Sequence, residues 1–331
     1  MPTRIIFPHK GQVALQDYEL PDPGPEEIRV RTMYSLMSIG TENIILNQQY
    51  DPGTHFAKIF SFPQLKTGVQ AVAEVEQTGS DVADFEVGDH IYIRMAHGSH
   101  QLMTATDCSH IPDGIDLKQA CWAGLAKTAY RAAWAGRFEP GQHILVIGAG
   151  PVGQMAIRWA SNSGADSINV VDLSPARLEH AKRGGATHTF NAPISDCLDD
   201  IKTINAGAGP SIVVDVTGNA AVFQYALAAA AQFGKVILLG DTGYPSQQCL
   251  SPDVMTKGLT IQATHDSHDR DGWTQRRIDE LFFDHVLNGD FNLDGLITHE
   301  FLPQDCVQAY ALANQQRELV MGILFDWRNS E

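Results

Sequence analysis

The chain lacks any apolar run near the roughly 20 residues that a bilayer-spanning helix requires. No membrane association is expected. Its opening residues, Met1-Pro2-Thr3-Arg4-Ile5-Ile6-Phe7-Pro8, are too short and too interrupted by proline to serve as a secretory signal. A soluble, cytoplasmic protein is therefore expected. Cations are scarce as well: 23 Lys and Arg stand against 39 Asp and Glu, a net charge of -16. Such a surface repels a phosphate backbone, which removes nucleic acid from the expected partners. The acidity is an ordinary way of keeping a cytosolic protein in solution. Cysteine is sparse. Cys108, Cys121, Cys197, Cys249 and Cys306 are widely and irregularly spaced, without a C-x-x-C pair. That pattern excludes a disulfide framework and a four-thiolate zinc site, and it predicts buried, reduced thiols. Internal repeats and low-complexity segments are absent too.

What is present suits a globular chain of two domains: 331 residues, 44% of them hydrophobic and 19% charged. In the first third, Ile28–Tyr34 and Ala71–Val75 alternate as strands do. Gly79-Ser80-Asp81, Val87-Gly88-Asp89 and Pro112-Asp113-Gly114 carry turn chemistry. An irregular β-rich domain is expected there. Near residue 116 the character changes. Leu117–Ala135 reads as one alanine-rich helix stopped by Gly136. Strands at 143–147, 167–171, 211–215 and 235–239 then alternate with helices at 152–161, 176–183 and 219–232. Continuous apolar strands between helices predict a doubly wound parallel sheet covered on both faces, an α/β fold of the Rossmann type. The tail is expected to hold helices at 277–287 and 306–314. A last strand at 319–325 should return to the first domain. The expected division is 1–118 with 265–331, and 119–264.

One motif carries the chemistry. Gly148-Ala149-Gly150-Pro151-Val152-Gly153 follows a strand and opens a helix, and Asp172 ends the next strand 19 residues after Gly153. In that context each glycine has a duty: Gly148 for the tight turn, Gly150 for close approach to a pyrophosphate, Gly153 for helix–sheet packing. The free N–H groups of the helix N-terminus attract the pyrophosphate, with Pro151 and Val152 in the first turn. Asp172 is expected to accept from the adenosine ribose hydroxyls, beside Leu173 and Arg177. A carboxylate there repels a 2′-phosphate, so the expected cofactor is NAD and not NADP. Val216, Thr217, Leu239 and Gly240 end later strands and are candidates for the nicotinamide side.

These stretches, together with Val87-Gly88-Asp89, Ile111–Gly114, Gly124–Tyr130 and Asp172–Leu178, resemble the medium-chain dehydrogenase/reductase superfamily over essentially the whole length. The resemblance implies a GroES-like catalytic domain beside the dinucleotide domain, a small-molecule substrate, and a homodimer or homotetramer. The departures are informative. Zinc-type relatives carry a C-G-T-D-like motif and a G-H-E motif. Here the aligned stretches are Ser38-Ile39-Gly40-Thr41-Glu42 and Gly68-Val69-Gln70, and the third ligand position falls on Gly124. Catalytic zinc takes three N, S or O donors. Ile39, Val69 and Gly124 offer none, so no metal is expected. Of the zinc-less branches, the S-x-G-T-E pattern is most similar to the bacteriochlorophyllide hydroxyethyl dehydrogenase type.

Without a metal, hydrogen-bonding groups must polarise the substrate oxygen and take its proton. The resemblance places Thr41 at that oxygen, although its hydroxyl equally suits a turn at a strand-to-helix corner. Lys127 follows a small-residue run implied to face the nicotinamide. If desolvated it is a candidate base, and if solvated an ordinary helix lysine. Glu42 is a third catalytic candidate, and Gln70, His97 and Tyr50 are candidates for substrate contact. Tyr50, Phe56, Phe60 and Phe62 form an aromatic stretch that either borders the substrate or fills the core. The expected function is zinc-independent, NAD-dependent hydride transfer involving a secondary alcohol or ketone. The alternatives are an NAD(P)H-dependent C=C reductase and a catalytically silent NAD(H) sensor.

Overall fold

The computed structural model describes residues 1–328. In chain order the first elements are β1 (Thr3–Phe7), β2 (Ala14–Asp17), β3 (Glu27–Leu36), α1 (Ile39–Asn47), α2 (His55–Ile59) and β4 (Leu65–Lys66). Next come β5 (Ala71–Thr78), β6 (His90–Ile93), β7 (His100–Thr104), β8 (Ser109–His110), α3 (Leu117–Ala120) and α4 (Ala123–Gly136). The middle of the chain holds β9 (His143–Ile147), α5 (Pro151–Asn162), β10 (Ser167–Val171), α6 (Pro175–Arg183) and β11 (His188–Phe190). Then follow α7 (Leu198–Ile204), β12 (Ile212–Asp215), α8 (Ala220–Ala229), β13 (Lys235–Leu238), α9 (Asp253–Thr256) and β14 (Thr260–Ala263). The tail holds α10 (Gln275–Leu287), β15 (Ile297–Phe301), α11 (Cys306–Gln315) and β16 (Gly322–Asp326). Two compact units divide these elements. One comprises 1–124, 274–288 and the described chain from 296; the other comprises 125–273 and 289–295.

The β-rich unit is organised around β3, whose residues alternate between buried and half-buried along most of its length. Ile28 and Val30 face Ala71, Ala73, Val75 and Ile91 in one apolar cluster. The larger sheet runs β15-β16-β3-β5-β6-β8, with β7 also paired to β3, and β2-β1-β4 form a smaller one. The returning strand is β16, antiparallel to β3 with Leu324 opposite Leu36. Its neighbour β15 lies parallel to it. A second cluster gathers α1, α11 and β16 around Ile45, Tyr310 and Phe325.

In the other unit the order β11-β10-β9-β12-β13-β14 is parallel throughout. Strands β10 and β12 are buried at every position, as two-sided cover requires. The chain winds one way from β9 to β10 and the other way to β12, so the switch point lies between β9 and β12.

Three expectations need correction. Residues 117–135 are not one helix: the chain breaks at Cys121 and Trp122 between α3 and α4. Trp122 is fully buried, and its ring lies 2.8 Å from where a Cβ of Gly322 would stand. Core packing there overrides helix propensity. Gly136 belongs to α4, and the left-handed residue that ends the helix is Arg137 at φ +56°. Gly136 has no side chain to obstruct Phe138, whose ring folds back 2.8 Å from its Cβ position. The last strand is shorter than expected, because Arg317–Leu319 form a 3-10 turn before β16. Short β11, β14 and β15 escaped the sequence pattern.

Candidate dinucleotide site and the polar cluster of the β-rich unit

The glycine turn sits between β9 and α5, at the carboxyl end of the parallel sheet. Gly148 has φ +97°, which a side chain would strain. A Cβ on Gly153 would overlap the Gly148 carbonyl, so only glycine lets the first turn of α5 pack this close. At Gly150 the nearest atom to a built Cβ is Arg177 Nη1, 3.8 Å away. Gly150 caps α5 without a side chain, and Pro151 opens the helix. The turn is thus a cradle of N–H groups beside a guanidinium, and it fits a pyrophosphate. Val152, in that first turn, is half-buried.

Asp172 follows β10. One oxygen accepts from Ala149 N at 2.7 Å and the other from Ser174 N at 2.8 Å. Each carboxylate oxygen has two lone pairs, so acceptor capacity remains for ribose hydroxyls. Leu173 is exposed and Arg177 half-buried. Val216 donates its N–H to Ile147 O at 3.0 Å, and Leu239 and Gly240 both donate to Asp215 O at 3.0 Å. Thr217 is exposed, and its N–H and hydroxyl both bond Asp215 Oδ1. Burial raises the carboxyl pKa of Asp215 despite those bonds. Every cofactor candidate therefore lies at or beside the carboxyl ends of β9, β10, β12 and β13.

The β-rich unit holds a different polar assembly. Glu42, on α1, is 1% exposed. Its Oε1 accepts from Ser38 N at 2.7 Å. Its Oε2 accepts from Thr67 Oγ1 at 2.7 Å, faces His97 Nε2 at 3.2 Å and accepts from the Tyr310 hydroxyl. Burial opposes ionisation of Glu42, but the charge of His97 and the hydrogen bonds of His97, Tyr310 and Thr67 outweigh it and hold the carboxyl below its ordinary range. Burial, then the adjacent Glu42, pushes the Tyr310 phenol well above its own. His97 Nδ1 lies 2.7 Å from Ser35 Oγ, which accepts from Trp327 Nε1. Gly68, at φ +96°, makes room for the histidine: a Cβ there would be 2.5 Å from His97 N.

These contacts revise several expectations. Glu42 and His97 are enclosed and engaged with each other, so neither is presented to a substrate. Tyr50 is 8% exposed, its ring stacked 6.1 Å from Phe60. Phe56, Phe60 and Phe62 pack against the same core. The aromatic stretch fills the core. Gln70 is fully buried, with Nε2 donating to Leu36 O at 3.3 Å and Oε1 without a hydrogen-bond partner. Thr41 is half-buried in the first turn of α1, and its hydroxyl has no hydrogen-bond partner among the described residues. Lys127 is 3% exposed, which rules out the solvated helix lysine, and its Nζ lies 3.2 Å from Asp266 Oδ1. Sequence reasoning missed Thr67, Tyr310, Ser35 and Trp327. Tyr310 reaches Glu42 across 268 positions, and no local pattern signals such a pair.

With this geometry in place, comparison adds what the chain is similar to. The model for "Zinc-binding dehydrogenase" matches residues 151–280. Sorbitol dehydrogenase of Bacillus subtilis is 39% identical over 137 residues, which cover 41% of this chain and 38% of that protein. D-guloside 3-dehydrogenase of Escherichia coli is 23% identical over 339 residues, 94% of this chain and 97% of that one. An Escherichia coli oxidoreductase/dehydrogenase of unknown specificity involved in membrane biogenesis superposes with a TM-score of 0.87. The identity is 19%, over 98% of this chain and 99% of that one. Over residues 151–280 the chain is similar to the zinc-binding dehydrogenases, and over nearly its whole length it shares the fold of such an oxidoreductase.

The family description implies zinc, so the aligned ligand positions can be tested. Ile39 is 3% exposed among apolar neighbours. Val69 is aliphatic, and Gly124 has no side chain. A Cβ on Gly124 would overlap Gln70 Oε1 and the Tyr92 hydroxyl oxygen, so the space for a third ligand is already filled. These residues do not fit a catalytic zinc. No cluster of three or more His, Cys, Asp or Glu suited to a metal occurs among the described residues. His265 and His268 meet within one loop, where His268 Nδ1 accepts from His265 N at 3.1 Å. Cys108, Cys121, Cys197 and Cys306 are buried, Cys249 is exposed, and all five are free. Burial raises the Cys108 thiol to about 12.

Proposed function

We propose that this protein is a zinc-independent, NAD-dependent dehydrogenase that transfers a hydride between nicotinamide and a secondary alcohol or its ketone. The observation that carries the reading is the setting of Asp172. Its carboxylate is fixed by two backbone N–H groups beside the glycine turn and keeps lone pairs for a ribose diol. A 2′-phosphate would meet that charge unfavourably, which favours NAD. Gly148, Gly150 and Gly153 hold the pyrophosphate with Arg177 alongside. Zinc independence rests on the donor-free positions 39, 69 and 124.

Oxidation of a secondary alcohol removes a hydride from carbon and a proton from oxygen, and bound NAD supplies the hydride acceptor. From the chain, Thr41 is the group proposed at the substrate oxygen: its Oγ1 accepts the substrate hydroxyl's hydrogen bond, and as the hydride leaves it takes that proton and releases its own to solvent water. Glu42 holds the α1 turn that carries Thr41, through Ser38 N.

The enclosure of Glu42, His97 and Gln70 favours one second reading: a protein that binds NAD(H) without turnover. NADH formation by EDTA-treated protein, followed by absorbance across secondary alcohols, polyols and hydroxyethyl-bearing ring compounds, separates the two. Chelator-resistant turnover with NAD is expected. Activity lost to EDTA and restored by zinc would overturn zinc independence. NADH binding with silence across the panel would favour the second reading, and preference for NADPH would favour C=C reduction.

A further inference from the structure

The segment Thr264–Trp273 leaves the carboxyl end of β14, and charge ties it to one face of α4. Lys127 Nζ lies 3.2 Å from Asp266 Oδ1, which also accepts from Thr128 Oγ1 at 3.4 Å. One turn on, Arg131 pairs with Asp269 and donates to Trp273 O at 2.7 Å. Another turn on, the Arg270 guanidinium stands 5.0 Å over the Trp134 ring. Residues 127, 131 and 134 share one helix face at i, i+4 and i+7. The strap ends in a tight reversal, with Arg270 bridged to Trp273 and both Asp271 (φ +53°) and Gly272 (φ +77°) left-handed. That is the backbone of a type I′ turn, for which Asp-Gly is a preferred pair. The cations are withdrawn from water: the Lys127 and Arg131 side chains are each 4% exposed, against 18% for Asp266 and 50% for Asp269.

The position of the strap gives the clasp a use. Asp172, at the end of β10, marks the adenosine side of the sheet. The pyrophosphate turn follows β9, so the nicotinamide half extends towards the ends of β12, β13 and β14. The strap rises at that side. A ten-residue loop ordered only on binding would subtract its ordering entropy from cofactor affinity, whereas one held beforehand does not.

We infer that Lys127 and Arg131 are positioning residues for the dinucleotide, clasping the 264–273 strap beside its nicotinamide half. This rests on reading Gly148–Gly153 and Asp172 as the NAD site. It moves Lys127 from candidate base to anchor, because its ammonium is committed to Asp266.

Lysine and arginine distinguish the roles. Arginine keeps the ion pair but cannot act as a base at neutral pH. The test titrates full-length protein with NADH by fluorescence and follows hydrogen–deuterium exchange of residues 264–273, with and without NADH. Lys127→Met and Asp266→Asn should each weaken NADH about tenfold and speed strap exchange, and the double variant should be no worse than either, since one pair is broken in all three. Lys127→Arg should bind within about threefold of wild type and protect the strap fully. If Lys127→Met does not fold, Asp266→Asn, altered on the more exposed partner, carries the test. Unchanged affinity in Asp266→Asn, or a Lys127→Arg protein as weak as Lys127→Met, overturns the inference. A wild-type protein that binds no NADH instead overturns the dinucleotide reading, and strap exchange still reports whether the clasp exists.

Discussion

Two carboxylates in this molecule are held in comparable ways and meet different surroundings. Glu42 in the β-rich unit and Asp172 in the parallel-sheet unit each accept a backbone N–H at 2.7 Å, and each lies beside the first turn of a helix. Around Glu42, three side chains from distant elements complete the coordination and leave 1% of the residue exposed. Around Asp172 only backbone donors are used, and the residue stays half-buried. The first arrangement spends its acceptor capacity on the protein, and the second keeps some for a ligand. A carboxylate near a glycine-rich or small-residue turn is therefore not a site in itself. Its remaining acceptor capacity decides whether it is scaffold or recognition group.

The contrast can be broken most forcefully at Glu42. Replacement by Gln removes the charge that His97, Tyr310 and Thr67 surround, and should cost about 3–5 kcal/mol, read as a shift of the urea midpoint. A loss below about 1 kcal/mol would mean the cluster is not ionised as described. Acid should draw out the same contribution gradually. Because the folded-state pKa of Glu42 is lowered, its stabilisation is complete above the unfolded carboxyl value and is lost as pH falls through the folded one. The urea midpoint of wild type should thus fall more steeply below about pH 4.3 than that of Glu42→Gln. Parallel curves would contradict it.

Gly124→Ala tests the filled ligand position. Its methyl would overlap Gln70 and Tyr92, and overpacking of this kind costs about 1–3 kcal/mol. Trimming Gln70 to Ala in the same chain should return part of the melting temperature, and no recovery would show that the strain lies elsewhere. Asp172→Asn should have the smallest effect on the fold. Isothermal titration should show NADH binding weakened about tenfold, roughly 1.4 kcal/mol, with NADPH weakened less. Equal weakening of both would remove Asp172 as the selecting residue.

The parallel-sheet unit was legible because its signals are local. Apolar strands at 143–147 and 167–171, the glycines at 148, 150 and 153, and Asp172 all sit within one continuous stretch whose spacing carries the geometry. The β-rich unit was legible only in outline. The pattern of β3 announced itself by alternation, but β15, which has no fully buried residue, did not. The break between α3 and α4 came from burying Trp122, which no helix propensity anticipates. Lys127, Glu42, Gln70, His97 and Tyr50 were picked out by residue type and resemblance. Their surroundings then reassigned them: Lys127 to an ion pair with the strap, Glu42 and His97 to a closed polar cluster, Tyr50 to an aromatic core and Gln70 to a buried bond with Leu36 O.

By itself the sequence determined what short-range chemistry can determine: the period of each long element, the left-handed turn at Gly148, the absence of donors at positions 39, 69 and 124, and a carboxylate where a ribose diol would lie. Tertiary structure alone decided which polar groups are closed off. That depends on partners as far apart as Glu42 and Tyr310, and on whether a side chain meets water or protein. Burial and pairing are properties of the packed chain, and no residue carries them in its own identity.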